Sequence, residues 1–274
     1  VQACADYIGD SFYLSKIATK LEASTLVFAG VTFMGESAKI LNPEKTVLMP
    51  DTTADCPMAH MAAAGKIEKM REEYEDLAVV CYINSSAALK TYADVCVTSS
   101  NAVEIVRKLP NKNIFFIPDE NLGSYVAKQV PEKNVILNDG YCYVHKEVNK
   151  EQVEEIKRCH PGVEFLVHPE CTKEVLELAD YVGSTSGIID HATKSDKKEF
   201  IIGTENGVLY ELQQKNPDKK FYTLPGGQTC TSMKKITLEK VRDCLKYNKG
   251  EVSVDDSLRR KANVPLNRML ETAK

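Results

Sequence analysis

ADYIGDS (5–11), ADVCVTS (93–99) and ADYVGST (179–185) are three copies of one pattern, recurring 88 and then 86 residues apart from Ala5 to Ala93 to Ala179. Each joins an Ala-Asp pair to a hydroxyl residue five positions beyond the Asp: Ser11, Ser99 and Thr185. A period of that length is too long for a solenoid repeat and suits a small α/β domain. The surroundings repeat as well. VVCYIN (79–84) and EFLVH (164–168) precede the second and third copies and read as buried strands. Behind the copies come the helical stretches FYLSKIATKLE, NAVEIVRKL and GIIDHATK, then the apolar runs TLVFAG, NIFFIP and EFIIG. A second helical stretch follows in each (FMGESAKIL, NLGSYVAKQV, NGVLYELQQK), then a third run: TVLMP, NVILN and KKFYTLP. Strands alternating with helices imply parallel sheets with right-handed crossovers. The expected fold is therefore α/β, with three similar three-layer αβα domains and parallel sheets around a pseudo-threefold axis. The expected boundaries are 1–76, 77–161 and 162–250, with C-terminal helices over 251–274 completing the first unit.

Composition narrows the function classes. The 274 residues are 43% hydrophobic and 27% charged, which excludes disorder and a coiled coil. The balance of 35 Lys+Arg against 39 Asp+Glu argues against a strongly basic nucleic-acid binder. No stretch approaches 18 uncharged apolar residues, so no membrane-spanning helix is expected. VQACADYIGDS has neither a basic nor an apolar region of a signal peptide. Nine cysteines, an odd number without a small-scaffold pattern, point to a reducing, cytoplasmic setting. No GxGxxG follows a strand and no GxxxxGK[ST] occurs, so neither NAD nor ATP binding is indicated.

Position singles out three of the cysteines. Cys56, Cys142 and Cys230 each lie just beyond the third strand of a unit. Ligands of open α/β sheets bind outside the carboxyl ends of strands, so three such loops around an axis would bring these thiols to one point. They are not spaced as a zinc site within one segment. Three thiolates with no fourth fit a 4Fe-4S cluster with one open iron, a Lewis acid for oxygen ligands. The alternative is core cysteines placed alike by common ancestry. Cys4, Cys81, Cys96, Cys159, Cys171 and Cys244 read as structural.

Other candidates sit at strand ends and helix starts. Ser11, Ser99 and Thr185 read as helix N-caps, where free amides and the helix dipole suit a carboxylate or phosphate. Tyr82 and His168 occupy equivalent positions of the repeat, as do Asn84 and Glu170. His168 and Glu170 on one turn could serve as a general acid/base and its proton partner. His60, His145, His160 and His191 read as packing or solvent-facing residues.

The motifs FMGESAKILNPEKTVLMPDTTADCPMA, CYINSSAALKTYADVCVTSSNAVEIV, VHPEC, ADYVGST and CTSMKKITLE together resemble the quinolinate synthase family over almost the whole chain. The resemblance implies three αβα domains and a 4Fe-4S cluster held by one cysteine per domain, here Cys56, Cys142 and Cys230. It implies condensation of iminoaspartate with dihydroxyacetone phosphate to quinolinate, the pyridine precursor of NAD, with loss of phosphate and water. Ser11, Ser99 and Thr185 would hold carboxylate or phosphate. Tyr82, Ile83 and Asn84 would line the site, Tyr82 with a catalytic role. His168, Pro169 and Glu170 would contact substrate, with Glu170 transferring protons. Partners would be the two small substrates, and an aspartate oxidase or dehydrogenase by functional coupling, with neither nucleic acid nor membrane. The same architecture in a three-lobed iron–sulfur reductase, or an iron–sulfur sensor, is the rival reading.

The family pattern is departed from in three places. Gly35 stands where Ala is usual and Tyr141 where His is usual; neither removes a ligand. A His-x-Tyr-Gln segment usually precedes the Val1-Gln2 seen here. The repeat points to the same gap, because Tyr82 and His168 lie 11 residues ahead of Ala93 and Ala179 while that offset from Ala5 precedes Val1. The expectation is a first unit without its first strand, and a chain that turns over poorly as it stands while still able to hold the cluster.

Overall fold

The computed structural model describes residues 1–273. The early part runs α1 (Ser11–Ala18), β1 (Thr25–Val27), α2 (Thr32–Leu41) and β2 (Thr46–Leu48). Next come α3 (Ala64–Glu73), β3 (Leu77–Tyr82), α4 (Ala87–Lys90), β4 (Val95–Val97), α5 (Ala102–Lys108), β5 (Asn113–Ile117), α6 (Glu120–Gln129) and β6 (Asn134–Leu137). The next stretch holds α7 (Tyr143–Lys146), α8 (Lys150–Cys159), β7 (Glu164–Val167), α9 (Lys173–Leu176), β8 (Tyr181–Val182), α10 (Thr185–Lys194), β9 (Glu199–Gly203), α11 (Val208–Lys215) and β10 (Lys220–Thr223). The helices α12 (Leu238–Tyr247) and α13 (Asp256–Thr272) follow.

The strands form three parallel sheets, ordered β1-β2, β4-β3-β5-β6 and β8-β7-β9-β10. The second and third orders are the same order, as the sequence repeat requires. The chain divides into two compact units: residues 1–140 with 231–274, and residues 141–230.

Alternation along the strands builds the layers. In the second compact unit, Phe165, Val167 and Ile201 pack with Val153, Ile156 and Val175 on one side. Leu166, Phe200 and Ile202 pack with Ile188, Ile189 and Leu212 on the other. Successive strand side chains point to opposite faces, so each face takes its own helices and the unit has three layers, αβα. In the first compact unit β3 is buried along its whole length, as an interior parallel strand must be. Helix α13 packs there against β4, α2 and α4, and Glu251 bridges Leu48 of β2 in antiparallel fashion.

Two devices recur with the repeat. Asp94 accepts from Val79 N–H at 2.7 Å and from Arg71, and Asp180 accepts from Phe165 N–H at 2.8 Å and from Lys157. The Asp of the Ala-Asp pair thus ties the start of a central strand to a cation on the preceding helix. The second device is a lysine just ahead of each third strand. Lys45 donates to the carbonyls of Ala18 and Leu21, Lys133 to those of Leu109 and Asn111, and Lys219 to those of Ala192 and Ser195. Each collects carbonyls at or beyond the C-terminal end of α1, α5 or α10, groups that a helix cannot satisfy itself.

The structure adds one feature and corrects one reading. The segments ADVCVTS and ADYVGST contain short strands, β4 and β8, that pair beside β3 and β7. They are three and two residues long, too short to show a strand period. The hydroxyls Ser11, Ser99 and Thr185 are not N-caps. Asp10 caps α1, accepting from Tyr13 N–H at 2.9 Å, and Ser184 caps α10, accepting from Gly187 N–H at 3.1 Å. Ser11 and Thr185 are the first helical residues, one position on. Ser99 lies in the turn that Asn101 closes by accepting from Thr98 N–H at 2.7 Å. A cap must sit in extended backbone just outside the helix, and Asp10 and Ser184 have that conformation.

Candidate functional site

In the first compact unit Tyr82, Ile83, Asn84 and Ser99 lie at or just past the carboxyl ends of β3 and β4, whereas Ser11 opens α1. Tyr82 is the last residue of β3, and Ile83 N–H continues the ladder to Val97 at 2.8 Å. Tyr82 and Ile83 are buried; Asn84 and Ser99 are half-buried. The loop after β3 is braced from beneath by Lys90. Its ammonium is fully buried, bonds the Ser85 carbonyl and lies over the Phe33 ring. Desolvation lowers the Lys90 pKa, against the pull of Cys96, Cys81 and Glu36.

Cys56 follows β2 in a loop pinned by polar contacts. Its amide donates to Asp55 at 2.9 Å. Asp51, at the head of the loop, is paired with Lys240 of α12. The Lys240 ammonium and then the Thr53 hydroxyl hold the Asp51 carboxyl at about 2. Lys235 donates to the Thr53 carbonyl at 2.7 Å. The trailing residues join the neighbouring strand ends: Ser86 N–H bonds Ala59, and Asn138 bonds the carbonyls of Met61 and Pro118. Gly140 ends this unit in tight quarters. A Cβ there would meet the Pro118 carbonyl at 2.6 Å and Met61 Cβ at 2.8 Å.

The second compact unit assembles a denser group. Strand β7 ends at Val167, and His168, Pro169 and Glu170 follow, all buried. His168 N–H donates to Gly203, and Glu170 N–H donates to His168 Nδ1 at 3.3 Å. Burial pushes His168 down to about 4, with the Glu170 carboxylate pulling it up and His145 pushing it further down. Thr185 opens α10 beside the end of β8.

His145, read from sequence as a packing or solvent-facing residue, is buried inside this group. It is 6% exposed on the one-turn helix α7. Its Nδ1 lies 2.8 Å from Glu170 Oε2 and 3.3 Å from Cys142 Sγ. Its Nε2 lies 3.0 Å from the Thr204 hydroxyl, and its ring stacks on His168 with centroids 4.7 Å apart. The donor atoms of Cys142, His145 and Glu170 lie within 4.8 Å of one another, close enough to share a cation. Cys230, after β10, is held by its amide, which donates to Glu205 at 3.2 Å, and Tyr143 O–H reaches its Sγ at 3.8 Å. Gly226 and Gly227, both with positive φ, make the turn that leads to it.

None of the nine cysteines is recorded in a disulfide, and they sort by position. Cys81, Cys96, Cys171 and Cys244 are buried; Cys4 and Cys159 are exposed. Cys56, Cys142 and Cys230 are the half-buried ones, and each sits in the loop after β2, β6 or β10. These three sulfurs at corresponding strand ends keep the partial exposure that thiolate chemistry requires, whereas the buried thiols pack as small apolar side chains.

A family model described as "Quinolinate synthetase A protein" matches residues 1–271. The chain is 57% identical to a quinolinate synthase of Fusobacterium nucleatum, covering 100% of this chain and 91% of that protein. It is 54% identical to the quinolinate synthase of Caldicellulosiruptor bescii, covering 99% of this chain and 89% of the relative. The Clostridioides difficile quinolinate synthase is 51% identical, covering 100% of this chain and 89% of its own length. With a match from its first residue to Leu270 and beyond, the chain belongs to the quinolinate synthetase A family of enzymes.

Proposed function

We propose that the chain condenses iminoaspartate with dihydroxyacetone phosphate to quinolinate, losing phosphate and water, as a cytoplasmic step toward NAD. The observation that carries the reading is the buried Glu170 carboxylate, 3% exposed, held 2.8 Å from His145 on a strand-end loop. Coupling to an aspartate oxidase or dehydrogenase would supply the unstable imine.

Cys56, Cys142 and Cys230 would hold a 4Fe-4S cluster, disposed about the pseudo-threefold axis that the repeat suggests. When bound, that cluster offers an open iron as a Lewis acid to a substrate hydroxyl or carboxylate oxygen. The remaining work falls to the chain. Ser11, Ser99 and Thr185 present hydroxyls at or just ahead of helix starts, where amides and the dipole favour carboxylate and phosphate oxygens. Tyr82 and Asn84 orient the substrate from the end of β3, against the floor made by Ile83. His168, held at about 4, stays unprotonated near neutral pH and serves as a hydrogen-bond partner rather than a cation. Glu170 moves protons at its carboxylate, and Pro169 keeps the turn rigid between them.

The test is anaerobic turnover with the two substrates after cluster reconstitution. The expected result is quinolinate formation, reduced about a hundredfold or more in Glu170→Gln, the range set by a lost general acid/base. Absence of quinolinate from reconstituted protein, or Glu170→Gln at the parent rate, would contradict the reading.

A further inference from the structure

Glu170 does not stand alone, and its neighbours are arranged in a chain. A carboxylate only accepts hydrogen bonds, and Glu170 Oε2 lies 2.8 Å from His145 Nδ1, with Cys142 Sγ 3.3 Å from the same atom. Nδ1 must therefore carry a hydrogen to satisfy the carboxylate. In that tautomer Nε2 offers its lone pair, and the Thr204 hydroxyl lies 3.0 Å away to donate to it. The stack on His168 fixes the plane of the ring. Both residues of the Thr204-Glu205 pair then serve the cysteine loops, since Glu205 accepts from the Cys230 amide.

The arrangement is not a by-product of the repeat. His60, four residues past Cys56, is exposed and pairs with Asp55 at 2.7 Å. The five residues after Cys230 contain no histidine. Only the Cys142 loop turns a histidine inward. Thr204 lies 59 residues from its partner, at the end of β9.

We propose that His145, held in one tautomer by Thr204, is a positioning residue that fixes the Glu170 carboxylate and tethers it to the Cys142 sulfur. The inference rests on the reading of Glu170 as the proton-transfer group. It assigns His145 and Thr204 a part in the chemical step and none in holding substrate.

The experiment compares Thr204→Val, Thr204→Ser, His145→Asn and His145→Ala with the parent chain after anaerobic reconstitution. Iron and sulfide are measured for each, together with kcat and KM. Thr204→Val keeps the volume but removes the donor. It is expected to lower kcat about tenfold with KM within about twofold, the scale of lost orienting contacts. Iron content should match the parent. Thr204→Ser should restore most of the rate, and His145→Asn, which keeps an N–H near the Nδ1 position, should exceed His145→Ala. Thr204→Val at the parent kcat would overturn the proposal. So would equal losses in Val and Ser, or a rate per iron that stays constant while iron is lost. Glu170→Gln separates the two layers: its full activity would remove the reading beneath the inference, whereas its loss with Thr204→Val unchanged would remove the inference alone.

Discussion

His168 is 4% exposed and stands between a carboxylate and a second imidazole. Its folded pKa, about 4, lies below the ordinary 6.5 because burial disfavours the cation. The sign of the pH effect follows. Above about 6.5 neither state binds the proton and nothing is lost; as pH falls below it, the unfolded chain gains a proton that the folded one refuses. Stability should drop by about 2 kcal/mol between pH 7 and pH 5 from this group alone. Urea midpoints of the parent and His168→Asn check it: the parent should show the steeper fall, and equal slopes would contradict the account. At this scale, His168 and Glu170 were legible because His-Pro-Glu follows an apolar run at a repeat-equivalent position. His145 was not. A histidine three residues after a cysteine gives no sign of pointing inward, and its partners Thr204 and Glu170 are remote in sequence.

Elements explain why the strand ends are so well defined. Lys219 gathers two carbonyls, one in the last turn of α10 and one just past it, each at 2.6 Å. Lys219→Met leaves those half-buried acceptors without their cation. It should cost about 1–2 kcal/mol in a urea titration; a change within about 0.3 kcal/mol would show the ammonium to be idle. Gly140 is limited by space instead. Gly140→Ala drives a methyl onto backbone at 2.6 Å. A loss of about 1–3 kcal/mol is expected, as for overpacked sites, measured by the thermal midpoint of the folded chain; an unchanged midpoint would contradict the close approach. Most of these elements follow from their apolar runs. Strands β4 and β8 escaped because two or three residues hold less than two alternations. The helix starts were misplaced by one residue at Ser11 and Thr185 because Asp10 and Ser184 cap equally well by composition. The lysine device is visible in retrospect as PEK, PEK and PDK at 43–45, 131–133 and 217–219.

The whole molecule is a repeat put to unequal use. Its period announced the parallel sheets and the shared strand order, because each copy must bury the same faces. Among the described residues no helix is long and apolar enough to cross a membrane. The three cysteine loops have different surroundings: Asp55 beside Cys56 with Lys240 on Asp51 at the loop's head, His145 beside Cys142, Glu205 on the Cys230 amide. Local sequence cannot foretell such surroundings, since they depend on which distant strand end meets each loop. The central claim is that these three sulfurs, and no others, serve one iron–sulfur group. Iron and acid-labile sulfide per chain, measured after anaerobic reconstitution of Cys56→Ser, Cys142→Ser, Cys230→Ser, Cys96→Ser and Cys244→Ser, test it most directly. The account predicts loss of the cluster in the first three and parent-level iron and sulfide in the last two; full iron and sulfide in any of the first three would contradict it.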